Sequence, residues 1–193
     1  MPPEGAAVKI VAMSGSSRKG SFNTALLEAA KEFLPEGATL EVLDITKFPI
    51  YTKDLEPTIP EEVKEFKRKL RESDAVLFAS PEFNYSVSAL LKNAIEWGNR
   101  PEDDNSWEGK PAAMMSASSG PRGGARGQLH LRHILVDLNM HAVNQPQVYV
   151  GKASQAFDEG LKLKDEVARR QLQRLMVSLV EWARRLRAPA QGT

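Results

Sequence analysis

Cysteine is absent from the 193-residue chain. That absence excludes disulfide staples, thiolate nucleophiles, zinc-thiolate centres and iron–sulfur ligation together, and a reducing, cytoplasmic location is the expectation it leaves. An excess of either charge is also missing. The 26 basic residues meet 25 acidic ones for a net charge of +1, so the overall charge calls for neither nucleic acid nor an anionic membrane surface as partner. No window approaches the ~18 apolar residues a membrane span requires, and the opening "MPPEGAAVKIVAM" has neither the basic flank nor the long apolar run of an export signal. Internal repeats and low-complexity segments are lacking as well. A chain that is 41% hydrophobic and 26% charged suits one globular domain over residues 1–193, with a core from about residue 8 to 187 and frayed ends.

The apolar residues that are present follow two periods. "VKIVAMS" (Val8–Ser14), "TLEVLDI" (Thr39–Ile45), "DAVLFAS" (Asp74–Ser80), "KPAAMMS" (Lys110–Ser116) and "QPQVYV" (145–150) read as five strands, most of them buried on both faces. Between them, helical spacing places Leu26, Leu27, Ala30 and Phe33 on one face of Asn23–Leu34, and Val63, Phe66 and Leu70 on one face of Pro60–Ser73. Further helices are expected at Val87–Trp97, Gly127–Leu138 and Lys162–Leu186. Alternation of this kind predicts an α/β fold with a five-stranded parallel sheet between two helical layers and right-handed crossovers. Ligands of such sheets sit beyond the carboxyl ends of the strands.

Three of those strand ends carry unusual loops. "SGSSRKGSFNT" (14–24) contains no carboxylate. Its hydroxyls, its glycines and Arg18 precede a helix, whose first amides are unpaired and favour an anion. A dinucleotide fingerprint would need GxGxxG, and a Walker loop would need lysine where Ser21 stands. The pattern therefore suits a phosphate monoester at the end of a larger ligand. "SPEFNYS" (80–86) is a compact turn with Pro81, Asn84 and two aromatics, suited to gripping a flat heterocycle through backbone groups. "SASSGPRGGARG" (116–127) is rich in glycine and serine and permits close backbone approach.

"GSSRKGSFN" matches a GSxRxxSxN pattern, and "PEFNYSVSALLKNAIEW" is similar to PEYNxSxPGxLKNAIDW, with "FPIYTKDLE" between them. Together these resemble the NAD(P)H-dependent FMN reductase family, whose fold is flavodoxin-like, from Val8 to about Val150. The resemblance implies that Ser16, Arg18, Ser21 and Asn23 hold the FMN phosphate with Ser17 and Thr24 nearby. Pro81, Glu82, Phe83, Asn84, Tyr85 and Ser86 are to line the ribityl chain and ring, while Ser116, Ser118 and Gly120 border the ring's polar edge. It implies a hydride passed from NADH or NADPH through FMN to a small-molecule acceptor such as a quinone, azo compound, metal oxyanion or free flavin, with no side chain as catalytic acid, base or nucleophile. It also implies a homodimer or homotetramer. Phe83 stands where Tyr is common, and Ser88-Ala89 where Pro-Gly is common. The competing reading is a flavodoxin-like electron carrier or a flavin-binding regulatory protein, but carriers of that kind tend to be acidic.

Other conspicuous residues carry less. His130 and His133 are three apart but lack a third ligand, so no metal site is expected. Asp103 and Asp104 read as a solvated loop, and the arginines of 168–187 as the solvated face of an amphipathic helix. Trp97 and Trp107 are candidates for a subunit contact or the substrate mouth. Arg122 and Arg126 are candidates for a nicotinamide 2′-phosphate.

Overall fold

The computed structural model describes residues 7–187; the expected fraying of the last six residues and of most of the N-terminal stretch lies outside them. Six strands and six helices alternate in the order β1 (Val8–Ser14), α1 (Phe22–Lys31), β2 (Ala38–Val42), α2 (Glu61–Glu72), β3 (Ala75–Ala79), α3 (Ala89–Gly98), β4 (Pro111–Ala117), α4 (Ala125–Asp137), β5 (His141–Ala142), β6 (Val148–Val150), α5 (Ala153–Ala156) and α6 (Glu166–Leu186). A 3-10 turn, Lys53–Thr58, precedes α2.

Every strand pair is parallel, and the sheet order is β2-β1-β3-β4-β5, with β6 also on β4. Ile10 pairs with Leu40 on one side and with Ala75 on the other, so β1 is central and buried on both faces. Its side chains alternate accordingly. Val8, Ile10 and Ala12 enter a core with α1, α5 and α6, whereas Val11 and Met13 enter the opposite core with α2, α3 and α4. Two apolar layers on one sheet explain why the strands read as continuous apolar runs rather than as alternation.

Local chemistry sets the helix ends. Ser21 caps α1 and Asp165 caps α6, each side chain accepting from amides of the first turn. Pro60 stands just before α2, whose first turn carries Glu61 and Glu62 and whose last carries Lys69 and Arg71, the arrangement that opposes the helix dipole.

Three expectations are revised. The fifth sheet position is split: β5 pairs with Pro111 and Ala112, β6 pairs with Met115 to Ala117, and the chain between them leaves the ladder. The last helix begins at Glu166 because the preceding segment is tied by a bridge between Phe157 and Leu163. Trp97 and Trp107 are fully buried rather than at a mouth or subunit contact. Their indole N–H groups donate to Pro49 O (2.8 Å) and Ile95 O (3.1 Å), so burial costs no unpaired donor.

Candidate functional site at the carboxyl edge of the sheet

The chain turns outward from β1 to β2 and then crosses to β3, so the switch point lies between β1 and β3. The loops after those two strands meet there. Gly15 N–H donates to Ala79 O (2.8 Å), and a Cβ at Gly15 would lie 2.9 Å from Ser88 Oγ and 3.0 Å from Pro81 Cδ. Only glycine permits that approach.

The first loop is built on a small hydroxyl network. Thr24 Oγ1 donates to Ser14 Oγ (2.9 Å), which also accepts from Ser16 N–H (3.3 Å). Ser21 Oγ accepts from the amides of Asn23 (3.2 Å) and Thr24 (3.4 Å). Arg18 is exposed, donates to Gly20 O (3.0 Å) and lies over the Phe22 ring at 5.6 Å. Among the described residues, the amides of Ser17, Lys19, Gly20, Ser21 and Phe22 have no acceptor in the chain. A row of free N–H groups at a helix N-terminus, with a guanidinium beside it, is a cradle for a phosphate.

Asn23 takes a different place from the one expected. Its side chain is buried and spent on one partner: Nδ2 donates to Ala117 O (3.0 Å) and Oδ1 accepts from Ala117 N–H (3.0 Å). It ties the start of α1 to the end of β4, positioning the cradle rather than offering it a donor.

The second loop is a two-residue reversal. Phe83 and Ser86 exchange backbone hydrogen bonds (3.0 and 2.9 Å), and Asn84 and Tyr85 both adopt left-handed conformations, φ 48° and 70°. Such a conformation is unfavourable for a tyrosine. The ring is met from outside by Arg126, whose guanidinium carbon lies 3.5 Å from its centroid, and Arg126 is in turn held by Glu82. The Glu82 carboxylate accepts from Arg126 Nε (2.6 Å), Arg126 N–H (3.0 Å) and Gly127 N–H (3.2 Å). Burial works to raise the Glu82 pKa, but the Arg126 guanidinium and the two amides outweigh it and hold it below the ordinary carboxylate value. Glu82 thus serves as the cap of α4, where Gly124 has no side chain to offer. Phe83 and Tyr85 remain exposed, Ser86 Oγ meets His130 Nδ1 (3.1 Å), and Pro81 is packed against the first loop.

In the third loop, Ser118 Oγ accepts from Gly120 N–H (3.1 Å), and Gly120 O accepts from Lys152 N–H (3.0 Å). Both stand at the open edge. Ser116 does not. It is fully buried, donates to Gly123 O and accepts from Gln128 Nε2 (2.7 Å), so its hydroxyl lies beneath α4 and is closed to a ligand. Sequence reading missed Gln128, although its spacing with Leu131 and Leu135 places it on the buried face of α4. Arg126 is engaged by Glu82 and Tyr85, whereas Arg122 is exposed and has no ion-pair partner among the described residues. No group of three or more His, Cys, Asp or Glu suited to a metal occurs among the described residues.

A 2-1-3-4-5 parallel sheet with a phosphate cradle after β1 and an aromatic turn after β3 defines a flavodoxin-like flavin mononucleotide protein. The model of the family described as NADPH-dependent FMN reductase matches residues 8–155. The chain is 43% identical over 181 residues to an NAD(P)H-dependent FMN reductase of Pseudomonas aeruginosa, spanning 93% of this chain and 97% of that one. It is 44% identical over 187 residues to an NADPH:quinone oxidoreductase of Arabidopsis thaliana, spanning 93% of each. Among solved structures, the flavoenzyme NAD(P)H:(acceptor) oxidoreductase FerB of Paracoccus denitrificans superposes with a TM-score of 0.86 at 32% identity, covering 93% of this chain and 98% of that one. The chain belongs to the NADPH-dependent FMN reductase family, and it is an FMN-dependent oxidoreductase that draws electrons from NAD(P)H.

Proposed function

We propose that this reductase acts on quinones and that the three loops hold its flavin. The observation that carries the assignment is the set of acceptor-free amides at Ser17 and from Lys19 to Phe22, beside the Arg18 guanidinium: the donors and the cation match a phosphate monoester in charge and geometry. Ser16, Ser17, Arg18 and Ser21 would hold that phosphate, with Thr24 fixing the loop through Ser14 and Asn23 fixing it through Ala117. The Pro81–Ser86 turn would support the ribityl chain and ring, and Ser118 and Gly120 would close the opposite side. When bound, FMN supplies the hydride chemistry, accepting from the nicotinamide and delivering to the acceptor.

Phe83 and Tyr85 present flat apolar surface at the edge of this site, which suits a nicotinamide or a quinone ring in turn. Quinone reduction is also the activity named for relatives in Arabidopsis thaliana and Pseudomonas putida. No side chain of the three loops needs to act as acid, base or nucleophile. Exposed Leu129 and Val136, one above the other on α4, support a homodimer, and a cysteine-free chain without a membrane-crossing helix among the described residues suits the cytoplasm.

The flavin-loaded protein should oxidise NADPH or NADH with a benzoquinone as acceptor. Absence of turnover with every quinone, alongside turnover with another acceptor class, would refute the substrate assignment. Arg18→Ala with Ser21→Ala should weaken FMN by about 100-fold, or about 2.8 kcal/mol, within the range of charge-assisted phosphate contacts, and leave riboflavin nearly unchanged; equal losses would place the phosphate elsewhere.

A further inference from the structure

A groove of about 610 Å³ runs beside the first loop, outside the surface assigned to the flavin ring. At its head are Arg18, Lys19 and Gly20, the same segment that forms the cradle. From there it follows α1 from Ser21 to Glu32, roughly 16 Å at 1.5 Å per residue. Along α1 its lining interleaves the apolar Ala25 and Ala29 with Glu28 and Glu32.

The opposite wall is a firmly built turn. Leu161 N–H donates to Asp158 O (3.0 Å), Asp158 N–H to Lys162 O (3.0 Å), and Lys162 N–H to the Asp158 carboxylate (2.8 Å). Leu161 is held there with φ 63°, an unfavourable backbone for a leucine. Its side chain reaches to 3.8 Å from where a Cβ on Gly20 would stand, so cradle and groove share a wall.

We propose that this groove receives the adenylate half of FAD, so that the chain accepts the dinucleotide flavin as well as FMN. The proposal rests on the assignment of the flavin phosphate to the Gly15–Ser21 loop. A second phosphate joined to the first would lie at the head of the groove, where Arg18 and Lys19 supply positive charge, with Lys162 on the facing wall. An adenine ring has flat faces for Ala25, Ala29, Leu161 and Leu163, and its amino group and ribose hydroxyls are donors. The two carboxylates are partnered by Lys31 (2.8 Å to Glu28) and Arg169 (3.3 Å to Glu32), yet each keeps accepting lone pairs. Along the groove a cationic head gives way to a wall in which Ala25 and Ala29 interleave with Glu28 and Glu32, apolar surface for the base and acceptors for its donor groups.

Calorimetric titration of the full chain with FMN, FAD and riboflavin tests this. FAD should bind within about tenfold of FMN, and both well above riboflavin. Glu28→Trp, which fills the groove from an exposed position on α1, and Lys162→Glu should each weaken FAD about tenfold while FMN stays within about twofold. FMN binding without FAD binding, or equal losses for both flavins in the two variants, would overturn the proposal while leaving the phosphate assignment in place. Failure of FMN to exceed riboflavin would overturn that assignment and this proposal with it.

Discussion

Asn23 shows how a residue can be right in position and different in task. Its place in "GSFN" was legible, but its partner, the backbone of Ala117, is 94 positions away in sequence, and no local pattern reports such a bond. Asn23→Ala would leave a buried N–H and C=O of β4 unpaired. We expect a stability loss of about 1–3 kcal/mol in urea unfolding, with FMN binding impaired as a secondary effect. Glu82 lends itself to a pH test. Its pKa is depressed in the folded chain, so its contribution is complete above the unfolded glutamate value of about 4.3 and is lost as pH falls through the lower folded value. The native chain should therefore exceed Glu82→Gln in stability by a constant margin from pH 6 to 8. That margin should shrink below about pH 4.3; a margin unchanged at pH 3 would contradict the ion pair's role.

At the scale of elements, most strands and helices were legible because burial on both faces of a parallel sheet and helical spacing each leave a strong period. What escaped were pieces whose form depends on remote partners. The two tryptophans beside "GNRPEDDNSWEG" looked like surface aromatics, yet the loop folds inward: a Cβ on Gly98 would lie 2.3 Å from Trp107 Nε1, so the indole occupies the space a side chain would take. The acidic pair in that loop divides the same way. Asp103 is exposed, as read, but Asp104 anchors the loop to α2, its carboxylate on Lys67 Nζ (2.9 Å) and on Arg71. Lys67 is nearly inaccessible, and burial pushes its pKa down against the opposing pull of Asp104. Asp104→Ala should cost about 1–3 kcal/mol by removing the carboxylate that balances this buried charge, leaving the ammonium on the backbone carbonyls of residues 100 and 104 alone. Asp103, at φ 68°, is better replaced by Asn, which tolerates the left-handed backbone, and Asp103→Asn should stay within about 0.5 kcal/mol. Chemical denaturation of the two variants side by side measures the contrast.

For the whole molecule, large apolar side chains are exposed at several places among the described residues, including Phe83 and Tyr85 in the turn after β3 and Val167 and Val177 on α6. Val136 is 77% exposed and Leu129 52% exposed on α4, with Ile50 84% exposed elsewhere on the surface. Two of them share one helix face, the arrangement of a self-complementary contact. Sedimentation at micromolar concentration should show a dimer for the native chain and a monomer for Val136→Asp; a native monomer would remove the dimer from the proposal.

The split fifth sheet position has its own consequence at this scale. Because β5 offers two residues and β6 three, the border of the sheet presents no continuous ladder to another chain. Two carbonyls along this border are taken by side chains: Trp182 Nε1 donates to His141 O (3.1 Å) and Arg132 to Val143 O (3.1 Å). An uninterrupted parallel edge is a template for aggregation. Here the interruption guards one of the two borders; the other, β2, is an unbroken five-residue strand and is the border left for a neighbour's strand to meet.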